Sequence, residues 1–200
     1  MTLFIATSNE GKFREMSEVF ARLSVELQSL ATLGITDQVE EDGSSYKDNA
    51  RIKASYFHNR TGLPTLGEDS GIVVDALAGQ LGMHTRRWGA GADASDEEWL
   101  DHFMRVMEEH QEPEQRTAKF ISHMCFMDGE EEIHVVGQTH GLITHEVEAP
   151  LYSGLPLSSV FKPIGQTKVY SALSEDEKNE VSHRGKAGRK MCEYLKQYFA

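Results

Sequence analysis

Four short stretches of this chain hold residues whose types and spacing could do chemistry: SNEGK at Ser8 to Lys12, VEEDG at Val39 to Gly43, EDSG at Glu68 to Gly71 and SHRGK at Ser182 to Lys186. In the first, backbone N–H groups at a helix start combine with a lysine into an anion site suited to phosphate. The G-x-x-x-x-G-K-[ST] spacing is absent, so it is not a Walker A loop. Taken alone, a tight Asn/Gly turn with a solvated lysine is the stronger reading of it.

The acidic stretches give that lysine company. Glu68 and Asp69 stand directly before Ile72-Val73-Val74, a run that reads as a buried strand, and a carboxylate beside a core costs free energy unless it is paired or metal-bound. Carboxylates from two separated loops suit a hard cation such as magnesium, which takes oxygen ligands from one or two carboxylates and from substrate phosphates. Glu40, Glu41 and Asp42 read equally well as a solvated turn. In the last stretch Ser182 can cap a helix whose dipole adds positive potential to His183, Arg184 and Lys186, with Lys178 shortly before. Arginine there could fork onto phosphate or a base carbonyl, although basic residues on a solvated helix explain the cluster as simply.

Other chemistries are weakly supported. His140 and His145 lie five apart in a β-like segment, and His123 and His134 could be cross-strand neighbours with no thiolate pattern nearby, so zinc is a minor reading. No G-x-S-x-G occurs, and Ser70 beside Asp69 reads as a hydrogen-bonding partner.

These residues need a scaffold. Leu3 to Thr7 reads as a strand, and Phe13, Met16, Val19, Phe20 and Leu23 recur at helical spacing after SNEGK. Helices are expected from Ser45 and from Ser95, each opened by a capping-box spacing, with Asn49 and Lys53 one turn apart on one face. Ala118 to Thr144 reads as antiparallel strands turning at Asp128-Gly129, an irregular Pro/Gly segment follows, and a last helix begins near Ser182. The mixture predicts an α/β (mixed α+β) fold, a single domain over residues 1–200 with a cleft between two unequal lobes.

Composition bounds the partners. With 39% hydrophobic and 26% charged residues the 200-residue chain can bury a sizeable core, and its net charge of −12 opposes non-specific binding to nucleic acid or an anionic membrane. No signal-peptide pattern and no run of about 18 apolar residues occurs, which predicts a soluble cytoplasmic protein. Cys125 and Cys192, far apart, fit free thiols better than a disulfide framework.

TSNEGK, EEDG followed by DNARIKA, EDSGIVVDAL and SHRGKA occur in this order over nearly the whole chain, and together they resemble the inosine triphosphate pyrophosphatase family, also called XTP/dITP diphosphatases. The resemblance implies a long mixed sheet flanked by helices in two lobes around a deep cleft, a homodimer, and magnesium-dependent conversion of nucleoside triphosphates of deaminated purines to monophosphate and pyrophosphate. It implies that Thr7, Ser8, Asn9, Glu10, Gly11 and Lys12 cradle the triphosphate and that Lys53 neutralises it. Glu40 and Asp69 would hold magnesium, Asp69 would also be the general base, and Ser70, Lys178, His183 and Arg184 would complete the substrate site.

Three departures stand out. Glu68-Asp69 takes the place of the family's pair of aspartates before Ser-Gly, a change of length but not of charge. LGMHTRRW keeps Arg87 and Trp88 of the family's loop but places Leu81 and His84 at altered positions. The family's Phe-Gly-Tyr-Asp-Pro stretch, which stacks on the purine and bonds its edge, is replaced near Gly154 to Leu157 by Leu155, Pro156 and Leu157. Losing a stacking platform costs a base on the order of 1–3 kcal/mol in other settings. Three readings therefore stand: the family reaction on inosine or xanthosine triphosphates, the same reaction on another modified purine or a pyrimidine, and a nucleotide-binding module without turnover.

Overall fold

Strands β1 (Thr2–Ala6), β2 (Glu26–Ser29) and β3 (Thr65–Val74) form the parallel part of the sheet. Strand β1 pairs parallel to both others, and helix α1 (Glu10–Phe20) makes the crossover from β1 to β2. Helix α2 (Tyr46–Thr61) leads into β3, and α3 (Asp96–Met107) follows it. Strands β4 (Thr117–Asp128) and β5 (Glu131–Ile143) make the expected hairpin, with Gly129 at φ 59° in its turn, and β6 (Phe161–Pro163) closes the edge. Helices α4 (Glu175–Val181) and α5 (His183–Tyr198) end the chain. The sheet order is β2-β1-β3-β4-β5-β6, antiparallel from β3 onward. This computed structural model describes residues 1–91 and 93–200, with Arg86 and Arg87 given by their backbone; the expectation placed on Arg87 falls on a side chain outside the described residues.

The helix starts follow their caps. Ser95 and Glu98 form the reciprocal capping box expected for α3, and Ser174 with Glu177 repeats it on α4. At α2 the Ser45 hydroxyl accepts from the Asp48 N–H, but the Asp48 carboxylate turns to the Ser44 and Ser45 hydroxyls, so only half of the box forms as expected.

Two large apolar clusters fill most of the core, and the first of them reaches the cleft. One gathers Ile72, Val74, Trp99, Phe103, Leu157, Phe161 and Tyr170; the other gathers Leu3, Ile5, Met16, Phe20, Leu66, Met124, Met191 and Leu195. Burying each such side chain contributes about 1.5–3 kcal/mol before chain entropy is set against it. Helix α2 lies on β3 at Gly67, where an added Cβ would stand 2.1 Å from the Ala50 carbonyl and 2.7 Å from the Ala54 nitrogen. Only glycine permits this approach, and it brings the polar residues of α2 onto the strand.

EDSG lies inside this framework, not ahead of it. Sequence order suggested a loop before the strand, yet Glu68, Asp69 and Ser70 pair with Met124, His123 and Ser122 in the middle of β3. The ten-residue ladder to β4 supplies backbone partners that a loop would have to find elsewhere. Among the described residues no helix is long and apolar enough to cross a membrane.

Candidate active site

The end of β1 and the start of α1 build one wall of the cleft. Asn9 caps α1, its side chain accepting from the Lys12 N–H at 2.9 Å, while its Nδ2 donates to the Gly154 carbonyl at 3.0 Å. Gly154 has φ +77°, and a Cβ there would stand 2.7 Å from the Asn9 amide oxygen. This contact ties the α1 loop to the irregular segment that differs from the family pattern.

A cavity of about 920 Å³ opens between these elements. Thr7, Ser8, Asn9, Lys12, Glu40, Lys53, Asp69, Ser70, His183 and Arg184 all line it, so the cavity gathers most of the residues singled out by sequence. Glu10 and Gly11 stand off the wall: Glu10 is exposed, and Gly11 is buried with its α-carbon turned to Ser153 and Leu155. Lys178 is also off the wall, ion-paired with Glu15 and with its ammonium 5.1 Å from the Tyr152 ring centroid.

Because successive strand residues face opposite ways, Glu68 and Asp69 have different surroundings. Glu68 faces α1 and α5: it pairs with Lys12 at 2.9 Å and Arg184 at 3.2 Å, and accepts from Ser122 at 2.8 Å. Burial pushes its carboxyl upward, but the charges of Lys12, Arg184 and Lys53 outweigh that and hold it well below the usual carboxylate range. Arg184 also pairs with Glu15 and donates to Ser70 at 3.1 Å. Buried Glu15 is likewise pushed up by burial and pulled below its ordinary value by Arg184 and Lys178.

Asp69 faces α2. Its Oδ2 accepts from Asn49 at 3.0 Å, its Oδ1 accepts from the Ser70 N–H at 2.9 Å, and Lys53 stands 3.8 Å away. Burial lifts its carboxyl above the ordinary aspartate value, with Lys53 and Lys12 opposing. Lys53 bonds Glu41 at 2.9 Å, so the acidic loop is anchored through Glu41, while Glu40 is exposed on the cavity wall. Asn49 also accepts from the Gly43 N–H at 2.9 Å and thereby fastens the loop to Asp69. The i, i+4 spacing of Asn49 and Lys53 placed both on this face, but nothing in the sequence marked Asn49 as a bridge.

The other end of the cavity is apolar and aromatic. Leu155, Pro156 and Leu157 line it, as the altered segment implied, and Phe120, Tyr170 and Trp99 join them from other elements. His183 stacks on Phe120 with ring centroids 4.6 Å apart and 12° between planes, and on Tyr170 at 6.1 Å. Burial, reinforced by the Arg184 charge, holds its imidazole well below the usual histidine range, so the ring is neutral at pH 7. Both its nitrogens, and the Trp99 indole N–H, are buried without a hydrogen-bond partner. Buried polar groups are almost always satisfied, so unpaired ones beside a cavity mark where a ligand's polar edge can fit.

Glu40, Glu41, Asp42 and Asp69 all line the cavity and offer the carboxylate oxygens a hard divalent cation takes, although among the described residues no three of them bring ligand atoms within 4.8 Å of one another. Cationic Lys12 and Lys53 beside them, with an aromatic far end, divide the cleft into an end for charged phosphates and an end for a flat ring.

Known proteins are similar to this chain over nearly its whole length. The model of the Ham1 family matches residues 3–194. The chain is 34% identical over 205 residues to a dITP/XTP pyrophosphatase of Aquifex aeolicus (strain VF5), covering 98% of this chain and 97% of that protein. Its structure is similar to that of a HAM1 protein from Coxiella burnetii, with a TM-score of 0.81 at 27% identity over 98% of this chain and 99% of that one. It is also similar to a nucleoside-triphosphatase / dITP/XTP pyrophosphatase from Mycobacterium abscessus, with a TM-score of 0.68 at 32% identity over 96% and 98%. With the match running from the first strand into the last helix, this chain belongs to the Ham1 family.

Proposed function

We propose that this chain is a nucleoside triphosphate diphosphatase that hydrolyses non-standard purine nucleotides, ITP, dITP and XTP, to monophosphate and pyrophosphate. The observation that carries the proposal is Asp69: a buried carboxylate on the cavity wall, aimed by Asn49 and the Ser70 N–H, with a lysine at 3.8 Å. The relatives named dITP/XTP pyrophosphatase support the substrate class.

In this reading Ser8, Asn9 and the start of α1 receive the triphosphate, with Lys12 and Lys53 exchanging Glu68 and Glu41 for phosphate oxygens. Asp69 takes a proton from the attacking water, the oxygen bonds to the α-phosphorus, and the bond to the bridging oxygen breaks with pyrophosphate as leaving group. Glu40 and Asp69 would hold magnesium, which when bound offsets phosphate charge and polarises phosphoryl oxygens. Arg184, already donating to Glu15, Glu68 and Ser70, braces the wall from behind. Lys178 supports it through Glu15. His183, packed against both Phe120 and Tyr170, would face the base. The family resemblance supports a single-domain homodimer acting in the cytoplasm, and sedimentation of the purified chain reads the dimer.

The apolar wall of Leu155, Pro156 and Leu157 favours a second reading, the same reaction on a different base. Pyrophosphate release from a panel of dITP, XTP, dGTP, modified purine and pyrimidine triphosphates separates the two. Retained turnover of dITP and XTP above all others supports the first.

A further inference from the structure

The sheet face beneath α2 carries another group of ligating side chains, none of which lines the cleft. Sequence reading saw no thiolate near His134, but strand register sets Cys125 of β4 directly opposite His134 of β5. Glu132 lies two residues before His134 and therefore on the same face.

We propose that Cys125, Glu132 and His134 form a binding site for one divalent transition-metal ion of the zinc class. One ligand atom from each residue lies within 4.8 Å of the other two. A tetrahedral zinc centre sets its ligand atoms roughly 3.5 Å apart, so modest side-chain rotation closes the set. A thiolate, an imidazole and a carboxylate suit zinc or cobalt and disfavour magnesium, which takes oxygen. The three would leave a fourth position for water.

His134 Nε2 stands 2.8 Å from Glu132, a contact that opens as the ion enters between the two ligand atoms, and His134 Nδ1 is buried without a hydrogen-bond partner. The carboxylate is steadied from α2 by Arg51, whose Nε donates to both of its oxygens at 3.1 and 3.0 Å. Cys125 is fully buried, and burial, with Glu132 adding, pushes its thiol up to about 12. The thiol is therefore protonated until a metal arrives; coordination forms the metal–sulfur bond and gives the proton to solvent.

The test titrates the metal-free full chain with Co²⁺ in excess Mg²⁺, which occupies oxygen-only sites. The expected result is one equivalent bound with a near-ultraviolet thiolate-to-cobalt charge-transfer band that Zn²⁺ displaces. The band is lost in Cys125→Ser and kept in Cys192→Ser. His134→Gln and Glu132→Gln, on the less buried strand, weaken binding by more than the roughly tenfold that loss of an outer partner costs. Their magnesium-supported nucleotide turnover stays unchanged. No charge-transfer band in the wild-type chain, or cobalt affinity unmoved by His134→Gln and Glu132→Gln, overturns the proposal.

Discussion

Glu68 and Asp69 are chain neighbours that face opposite sides of β3, one closed into a buried ion-pair network with Lys12 and Arg184, the other turned to α2 and the cleft. In the proposed reaction the two adjacent carboxylates do separate work, one structural and one chemical. Glu68→Gln should destabilise the chain by about 3–5 kcal/mol, because Lys12 and Arg184 lose a buried counter-charge. Asp69→Asn should leave the urea midpoint unchanged or slightly raised, since burial already opposes ionisation there. Urea denaturation of both variants at pH 7 checks the contrast.

Acid should expose the same division. Glu68 and Glu15 are held below their ordinary value of 4.5, so the stability they contribute is full above that pH and is lost as pH falls through their lower folded values. Asp69, lifted above 3.8, works with the opposite sign: its protonation on acidification favours the fold. The urea midpoint of the wild type should therefore fall below pH 4.5 on balance, because among the described residues five carboxyls, Glu15, Asp48, Glu68, Glu132 and Glu177, are lowered against Glu18 and Asp69 raised. In Glu68→Gln the decline should be shallower. An equally steep decline in the variant would contradict the assignment.

The aromatic end can be read through affinity. Phe120→Leu keeps apolar volume but removes the ring stacked on His183, and should raise KM for dITP by about 5- to 100-fold with kcat little changed, the range expected for one lost stacking face. Steady-state kinetics of pyrophosphate release measure the split between KM and kcat.

Close approach of α2 to β3 predicts that Gly67→Ala is more damaging than its size suggests. The added methyl would stand 2.1 Å from the Ala50 carbonyl, so α2 must shift and carry Asn49 and Lys53 with it. Overpacking of this kind costs typically 1–3 kcal/mol and sometimes more. Circular dichroism melting should show the loss, and turnover of the remaining folded fraction should fall as well.

Much of this was legible in the sequence because the signals are local. Ser45 and Ser95 mark helix starts, Asp128-Gly129 marks a hairpin, and the four motif stretches converge on or behind one cleft. What escaped depends on partners distant in the chain. The four residues of β2 and three of β6 are too few for an alternating pattern, and become strands only by pairing with β1 and β5. Glu15 reads as a solvated helix charge until Arg184 and Lys178 reach it from α5 and α4. EDSG reads as a loop because acidic residues seldom sit mid-strand, and only the two faces of β3 show how each carboxylate is accommodated. The aromatic wall was missed for the same reason: Phe120, Tyr170 and Trp99 come from three separate elements that meet the altered segment only in the fold.

The most direct test of the central claim is product analysis with dITP and magnesium for wild type and Asp69→Asn. The wild type should yield monophosphate and pyrophosphate in equal amounts, and the variant, with its fold intact, should turn over slower by about 10²–10⁴-fold, the usual contribution of a general base. Orthophosphate as the first product, or an Asp69→Asn rate equal to wild type, would contradict the account.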